Sequence, residues 1–308
     1  MFTFVTLALC QQLGGSSTNG DLRHDSIYSE VVNYQSLVAA LARASADLGS
    51  LPEFVALRPK LQIHLYDELA STNQTAWQLV DRGHRAGTVV IAAQQTAGRG
   101  QWGRTWVSAR GGLYLSLVLE PEMVLAHKNL LTLTSAWGVA ASLGNLGIPL
   151  QIKWPNDLVS QGRKVGGILT ESRVKCAPTG GSESQIQQVV IGLGLNWDNP
   201  LPEMALSVRQ LLPDLAIARV KTLEDLAAIA LRGLLQGFYY WQQYGDEAFL
   251  QAYQQRLADR GKEVTVDGHP AVVKGVSLRG DLIVSGDRGD EEFVRSLKPG
   301  EISLGYNV

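Results

Sequence analysis

The residues best suited to chemistry lie in a segment rich in glycine and arginine, Gln95–Trp106. Its three glycines let backbone amides approach an anion closely, and Arg99 and Arg104 add charges that do not titrate. The segment lies between two predicted strands, which argues against a dinucleotide fold, and no Gly-x-x-x-x-Gly-Lys-Ser/Thr sequence occurs, which excludes a P-loop. It is therefore either an anion-binding loop or a flexible surface hairpin.

Two further segments carry polar residues at the ends of predicted strands. In Lys153–Asp157 a lysine, an asparagine and an aspartate flank a proline, a set that can hold phosphate, a base edge and a metal-bound water; it is also an ordinary turn sequence. A hairpin predicted at Ser160 to Arg163 returns Lys164 to the end of the preceding strand. There Lys164 is either a point charge for a carboxylate or phosphate, or an exposed lysine at a strand start.

Glycines and hydroxyls elsewhere are less specific. Gly192 to Asn196 places two glycines in a strand, which indicates close approach by a ligand or another backbone. Ser71, Thr72 and Asn73 are polar groups at the start of a predicted helix and are equally good helix caps. The five histidines show no metal-ligand spacing, and no nucleophile motif accompanies a Ser/His/Asp set.

The predicted helices and strands that must position these residues do not follow the regular βαβ alternation of a doubly wound sheet. Strands are predicted from Leu61, Thr88, Leu113, Leu150, Val165 and Gln188, and helices from Ser71, Ala126, Thr222 and Asp246. Several strands follow one another directly, which favours an α+β fold with a mixed or antiparallel sheet and packed helices. After Arg260-Gly261 only short strands and turns occur, typical of a small β-barrel. We therefore predict an extension over 1–58, a main domain over 59–259 and a barrel over 260–308.

Composition and charge limit the function classes. The chain has 308 residues and a net charge of −2, so no global positive field attracts nucleic acid. Cys10 and Cys176 are far apart, which favours a reducing compartment, the cytoplasm, over a disulfide framework. The apolar start Met1–Cys10 lacks a preceding basic residue and is shorter than a membrane span, so we expect neither a signal peptide nor a membrane anchor.

In their order, these motifs resemble those of the biotin–protein ligases. Ser-Thr-Asn, Gly-Arg-Gly-x-x-Gly-Arg-x-Trp, Lys-Trp-Pro-Asn-Asp, Lys-x-Gly-Gly-Ile-Leu and Gly-x-Gly-x-Asn follow one another, and the resemblance covers about residues 61 to 308, to the closing Lys298–Leu304. It implies that biotin's carboxylate attacks the α-phosphate of ATP, and that a lysine of a biotin carboxyl carrier protein then attacks the adenylate. It also implies a catalytic domain followed by an SH3-like barrel, with ATP and Mg²⁺ as partners of the reaction.

The resemblance also assigns roles, residue by residue. It implies that Lys164 and Arg99 are catalytic, with Lys164 at the activated carboxylate. It implies biotin contacts for Ser71, Thr72, Asn73, Gln95, Arg99, Gly100, Gln101, Lys164 and Gly167. It implies adenylate contacts for Arg104, Trp106, Lys153, Asn156, Asp157 and Asn196, with Mg²⁺ held through the phosphates and Asp157.

This chain departs from the family pattern in two places. Gln101 stands where many members have arginine, so the adenylate is held either by backbone contacts that suffice or less tightly. Some members carry a winged helix-turn-helix at the N-terminus, but residues 1 to 60 here have four basic and five acidic residues, so we expect no DNA binding. A lipoate–protein ligase, a regulator that senses the adenylate and an inactive scaffold remain alternatives, and pairing of two copies through sheet edges stays open.

Overall fold

The computed structural model describes residues 32–121, 123–175, 183–288, 291–302 and 304–305. The apolar start Met1–Cys10 and the cysteine at 176 lie outside the described residues, so the expectations attached to them stay predictions. Among the helices that are described, none is both long enough and apolar enough to cross a membrane.

The centre of the molecule is a mixed β-sheet. Its strands are β1 (Gln62–Leu69), β2 (Thr88–Gln95), β3 (Leu113–Leu119), β4 (Met123–Val124), β5 (Gln151–Lys153), β6 (Asp157–Ser160), β7 (Arg163–Lys175) and β8 (Gln185–Leu195). Their order is β1-β2-β3-β8-β7-β6-β5, with β4 beside β8. Strand β1 runs parallel to β2, and the other neighbours are antiparallel. The predicted α+β class is confirmed.

Helices cover both faces of this sheet. The described helices are α1 (Tyr34–Leu41), α2 (Thr72–Asp81), α3 (Lys128–Asn145), α4 (Asp214–Ile217) and α5 (Leu223–Gln254). Helices α3 and α5 pack against each other over the main core, so closely that a Cβ at Gly138 would lie 2.1 Å from the carbonyl oxygen of Gly233. On the opposite face α2 packs on Val90, Val118 and Val190.

Helix α5 begins and bends where the sequence indicates. The Thr222 hydroxyl accepts from the backbone N–H of Asp225, and the Asp225 carboxylate accepts from that of Thr222, which completes the predicted capping box. At Gly245 the backbone leaves the helical region, with φ 79° and ψ −179°. This break separates the two helical segments that were predicted to start at Thr222 and Asp246.

The described part of the N-terminal segment packs on the main core. Leu37 of α1 and Leu48 are fully buried. The buried guanidinium of Arg232 on α5 donates to the carbonyl oxygens of Phe54 and Leu57, at 3.3 and 3.1 Å. Residues 32–58 therefore share the hydrophobic core of the helices beneath them, and the boundary at residue 58 stays a prediction.

The C-terminal region forms a second, four-stranded antiparallel sheet. Its strands are β9 (Glu263–Val266), β10 (His269–Val276), β11 (Leu282–Arg288) and β12 (Glu291–Leu297), in the order β12-β11-β10-β9. The indole Nε1 of Trp154 donates to the carbonyl oxygen of Gly280 at 3.0 Å, which ties this sheet to the end of β5. The sheet is consistent with the predicted SH3-like domain.

Candidate functional site

Most of the residues singled out from sequence surround one cavity. It lies where the start of α2, the segment after β2 and the β6–β7 hairpin converge on β8. Thirteen predicted residues line it: Ser71, Thr72, Asn73, Gln95, Arg99, Gly100, Gln101, Arg104, Trp106, Asn156, Asp157, Lys164 and Gly167. Six more residues line it without a specific ligand contact predicted from the sequence: Thr105, Ile168, Leu169, Leu193, and the two strand glycines at which close approach was expected, Gly192 and Gly194.

A neutral polar group forms one part of the wall. The Gln95 side-chain oxygen accepts from the backbone N–H of Thr72 at 2.7 Å and from its hydroxyl at 3.2 Å, and the Gln95 amide donates to Ser108 at 2.7 Å. Ser71 occupies the N-cap of α2, but its hydroxyl makes no capping hydrogen bond. Gln95 thus caps α2 from another element, so a capping role does not account for the buried hydroxyl of Ser71.

The glycine- and arginine-rich segment folds back on itself as a hairpin, which we call the ligand loop (Gly98–Trp106). The Gly100 N–H donates to the Arg104 carbonyl oxygen at 2.7 Å, and the Trp106 N–H donates to the Gly98 carbonyl oxygen at 2.9 Å. A Cβ at Gly98 would lie 2.4 Å from the Trp106 carbonyl oxygen, so this position requires glycine. The loop places the cationic side chains of Arg99 and Arg104 on the cavity wall.

Lys164 reaches the cavity through the hairpin predicted for it. Ser160 pairs with Arg163 across a two-residue turn whose residues, Gln161 and Gly162, have φ of 51° and 74°, as a type I′ turn requires. The Lys164 ammonium lies 2.6 Å from the Asp157 Oδ1 and 5.2 Å from the centre of the Trp106 ring. The cation is thus held by a carboxylate on one strand and by an aromatic face of the ligand loop.

Glu171 contacts two residues of the cavity wall, and the sequence analysis gave it no role. Its Oε2 accepts from the Asn73 amide at 2.9 Å and from the Trp77 indole at 3.3 Å, and Arg99 Nη2 lies 3.1 Å from both carboxylate oxygens. The alternation of a strand could have indicated it, because Gly167, four residues earlier on β7, lines the cavity and residues separated by an even number of positions share a face.

Two predicted adenylate contacts do not line the cavity. Lys153 is partly buried and donates to the Gly305 carbonyl oxygen, and burial lowers the pKa of its ammonium group. Asn196 is buried, and its amide donates to the Leu206 carbonyl oxygen at 3.1 Å, which supports the chain beside β8. Asn156 lines the cavity, and its amide also donates to the Ile168 carbonyl oxygen at 2.7 Å. The ligand contacts expected of these three residues stay predictions.

Known proteins share both sequence and fold with this chain. The family model described as the biotin/lipoate A/B protein ligase family matches residues 66–196. The bifunctional ligase/repressor BirA of Bacillus subtilis is 40% identical over 133 residues, 42% of this chain and 39% of that protein. The biotin–[acetyl-CoA-carboxylase] ligase of Paracoccus denitrificans is 38% identical over 129 residues, 41% of this chain and 50% of that protein. The matched segment thus spans about two fifths to a half of these two relatives.

The fold is that of a solved ligase. The apo structure of the biotin protein ligase from Aquifex aeolicus has a TM-score of 0.59 at 20% identity, covering 80% of this chain and 100% of that one. The bifunctional ligase/repressor BirA of Escherichia coli is 31% identical over 243 residues, which cover 76% of this chain and 71% of that protein. Because this relative is more than 30% identical and the alignment covers more than two thirds of its length, the chain belongs to the biotin–protein ligase family.

Proposed function

We propose that this chain activates biotin with ATP and transfers it to a lysine of a biotin carboxyl carrier protein. In the first step a biotin carboxylate oxygen attacks the α-phosphorus, and the bond to pyrophosphate breaks. In the second step the neutral ε-amine of the carrier lysine attacks the acyl carbon, AMP leaves, and the amine proton passes to solvent. Both steps place negative charge on oxygen atoms within one site.

The placement of Lys164 is the observation that carries the proposal. Its ammonium lies on the cavity wall, 2.6 Å from Asp157 and over the Trp106 ring, so its position is set before any substrate binds. A fixed cation stabilises developing negative charge without reorganising during the reaction. Lys164 is therefore the residue we place at the carboxylate–phosphate junction.

The neutral part of the wall suits the head of biotin. A cyclic urea offers N–H donors and a carbonyl acceptor, and Ser71, Thr72 and Gln95 supply hydroxyl and amide groups that match both. The dithiolane ring of lipoate has no N–H donor and no carbonyl acceptor, so it cannot form hydrogen bonds with these groups. This group supports biotin over lipoate as the acid.

The cationic part of the wall suits ATP. Arg99 and Arg104 can donate to phosphate oxygens, and Trp106 adds an aromatic face. The described residues contain no group of three His, Cys, Asp or Glu side chains that could hold a metal ion. Mg²⁺ binds proteins through one or two carboxylates and completes its shell with phosphates and water, so Asp157 fits as its protein ligand. When bound, the ion would neutralise phosphate charge.

The setting of the reaction belongs to the same proposal. The carrier domain of a carboxylase is the acceptor and the cytoplasm is the compartment, where ATP is supplied and both cysteines stay reduced.

Because relatives are named ligase/repressors, a gel-shift assay must test the expected lack of DNA binding. A shifted operator fragment would refute that expectation, and the elution volume of the purified chain reports whether it dimerises.

The first half-reaction gives the direct test. Labelled pyrophosphate should exchange into ATP when biotin is present and should not exchange with lipoate. Exchange with lipoate alone would assign the chain to the other branch of the matched family. The absence of exchange with either acid, in a cooperatively folded preparation, would contradict the proposed activity and support an inactive scaffold.

A further inference from the structure

The carboxylate of Glu171 joins three elements at the edge of the cavity. It lies on β7 and accepts from Asn73 and Trp77, both on α2, at 2.9 and 3.3 Å. Arg99 of the ligand loop brings Nη2 to 3.1 Å from both of its oxygens. One acidic group therefore connects a helix and a strand of the rigid core with the loop that lines the cavity.

The core side of this cluster is held in place independently of the loop. Asn73 also donates to the Leu169 carbonyl oxygen at 3.3 Å and accepts from the Ser116 hydroxyl at 2.6 Å. Asn73 is 3% exposed, so its orientation is set by these partners and not by solvent. Because Asn73 is fixed, the Glu171 carboxylate that it holds is also fixed.

The loop side has weaker support of its own. The Arg99 side chain is 47% exposed, and within the loop the hairpin is held by a few backbone hydrogen bonds. Glu171 contacts Arg99 through one terminal nitrogen, and a guanidinium carries five N–H donors. The contact can therefore orient Arg99 while donors remain for a carboxylate or phosphate.

We propose that Glu171 is a positioning residue that holds Arg99, and through it the ligand loop, over the cavity before substrate arrives. Ordering a loop on binding costs conformational entropy, and a loop that is already ordered avoids that cost. The expected effect of Glu171 on substrate affinity rests on the proposed function. Its expected effect on the order of the ligand loop does not, because the Arg99–Glu171 contact is made by the chain alone.

The variant Glu171→Gln tests the effect on loop order and the effect on substrate affinity in separate assays. A glutamine oxygen can still accept from Asn73 and Trp77, but the charge that attracts Arg99 is lost. Without ligands, trypsin should cleave after the exposed Arg104 about three- to fivefold faster than in the parent, as expected from losing one partly exposed ion pair. In pyrophosphate exchange the KM for biotin should rise by a similar factor while kcat changes less than twofold, because bound substrate orders the loop in both proteins.

A matched control lies on the same helix and strand. Asp81 of α2 pairs with Arg173 of β7, and Arg173 lies 4.3 Å from the centre of the Trp77 ring. The variant Asp81→Asn breaks this ion pair without touching Arg99, so cleavage after Arg104 and the KM should match the parent. Equal effects of Asp81→Asn and Glu171→Gln would overturn the proposal, because they would indicate a role in helix–strand packing.

A second variant protects the test against misfolding. Arg99→Gln leaves the hydrogen bonds between α2 and β7 intact and should also speed cleavage after Arg104, and combining it with Glu171→Gln should add nothing further. Parent-like cleavage in both single variants would refute the proposal. An inactive parent would contradict the proposed function alone, since proteolysis needs neither biotin nor ATP.

Discussion

Replacing Lys164 by alanine tests the central assignment. The variant removes a cation 2.6 Å from Asp157 and 5.2 Å from the Trp106 ring centre. Loss of one preorganised donor to a developing negative charge typically costs 10²–10³ in rate, about 2.7–4 kcal/mol. The Lys164 side chain is 28% exposed, so water weakens its field and we expect the lower end, a loss of about a hundredfold in kcat.

The same variant should cost little stability. Asp157 loses an ion-pair partner, and a partly exposed pair contributes about 1 kcal/mol or less, so the free energy of unfolding should fall by no more than that. Pyrophosphate exchange at saturating biotin and ATP measures kcat, and urea unfolding measures stability.

The pair Lys262–Asp259 provides the control for Lys164. Its atoms lie 3.2 Å apart, and it does not line the cavity. Lys262→Ala should leave kcat within twofold of the parent. If Lys164→Ala kept kcat within threefold of the parent, the assignment of transition-state stabilisation to Lys164 would be wrong. If its rate loss came with an equal loss of folded protein, the reasoning from electrostatics would also fail.

Three other substitutions test separate parts of the structure. Gly192→Ala would place a Cβ 2.2 Å from the Asn73 Oδ1, so we expect a loss of about 1–3 kcal/mol of stability in urea unfolding and a higher KM for biotin; unchanged values would mean that Asn73 can move freely. Gln101→Arg adds a cation on the cavity wall and should slow release of the adenylate about fivefold, as about 1 kcal/mol of added attraction implies; single-turnover release of labelled adenylate would show an equal rate if backbone contacts suffice. Burial, and then the charge of His84, lower the pKa of His64 below its ordinary 6.5, so the unfolded chain binds the proton first and stability falls as the pH drops through 6.5. His64→Gln should flatten that fall between pH 7 and pH 5 in urea titrations, and parallel slopes for the two proteins would contradict the assignment.

Structural features that depend on interactions between residues close together in the chain could be predicted from the sequence. The capping box of Thr222 and Asp225 and the hairpin before Lys164 were both predicted and are both present. Each depends on turn or cap chemistry within three or four residues, which the sequence states directly. Strand β6 was not predicted, because its four residues follow a turn sequence and are too few to show a period.

Contacts between residues on different elements could not be predicted from the sequence. The adenylate contact of Asn196 stays a prediction, and the structure adds that its amide donates to the Leu206 carbonyl oxygen. Gly192 was read only as a site of close approach, and the structure identifies Asn73 as the group that approaches. In both cases the sequence located a special residue, but the neighbour that explains it lies on a different element.

The sequence by itself determined the α+β class, the order of the motifs and the residue types that can hold a neutral ring and an anion. Those properties follow from hydrophobic period, turn chemistry and side-chain donors, all of which are read along the chain. Tertiary structure decided which groups are in contact. Arg99 contacts Glu171, which lies 72 positions later in the chain, and Asn73 donates to Glu171 from 98 positions earlier. Strand order and helix packing set these distances, and both arise from burying apolar surface shared by distant segments, which no local pattern specifies.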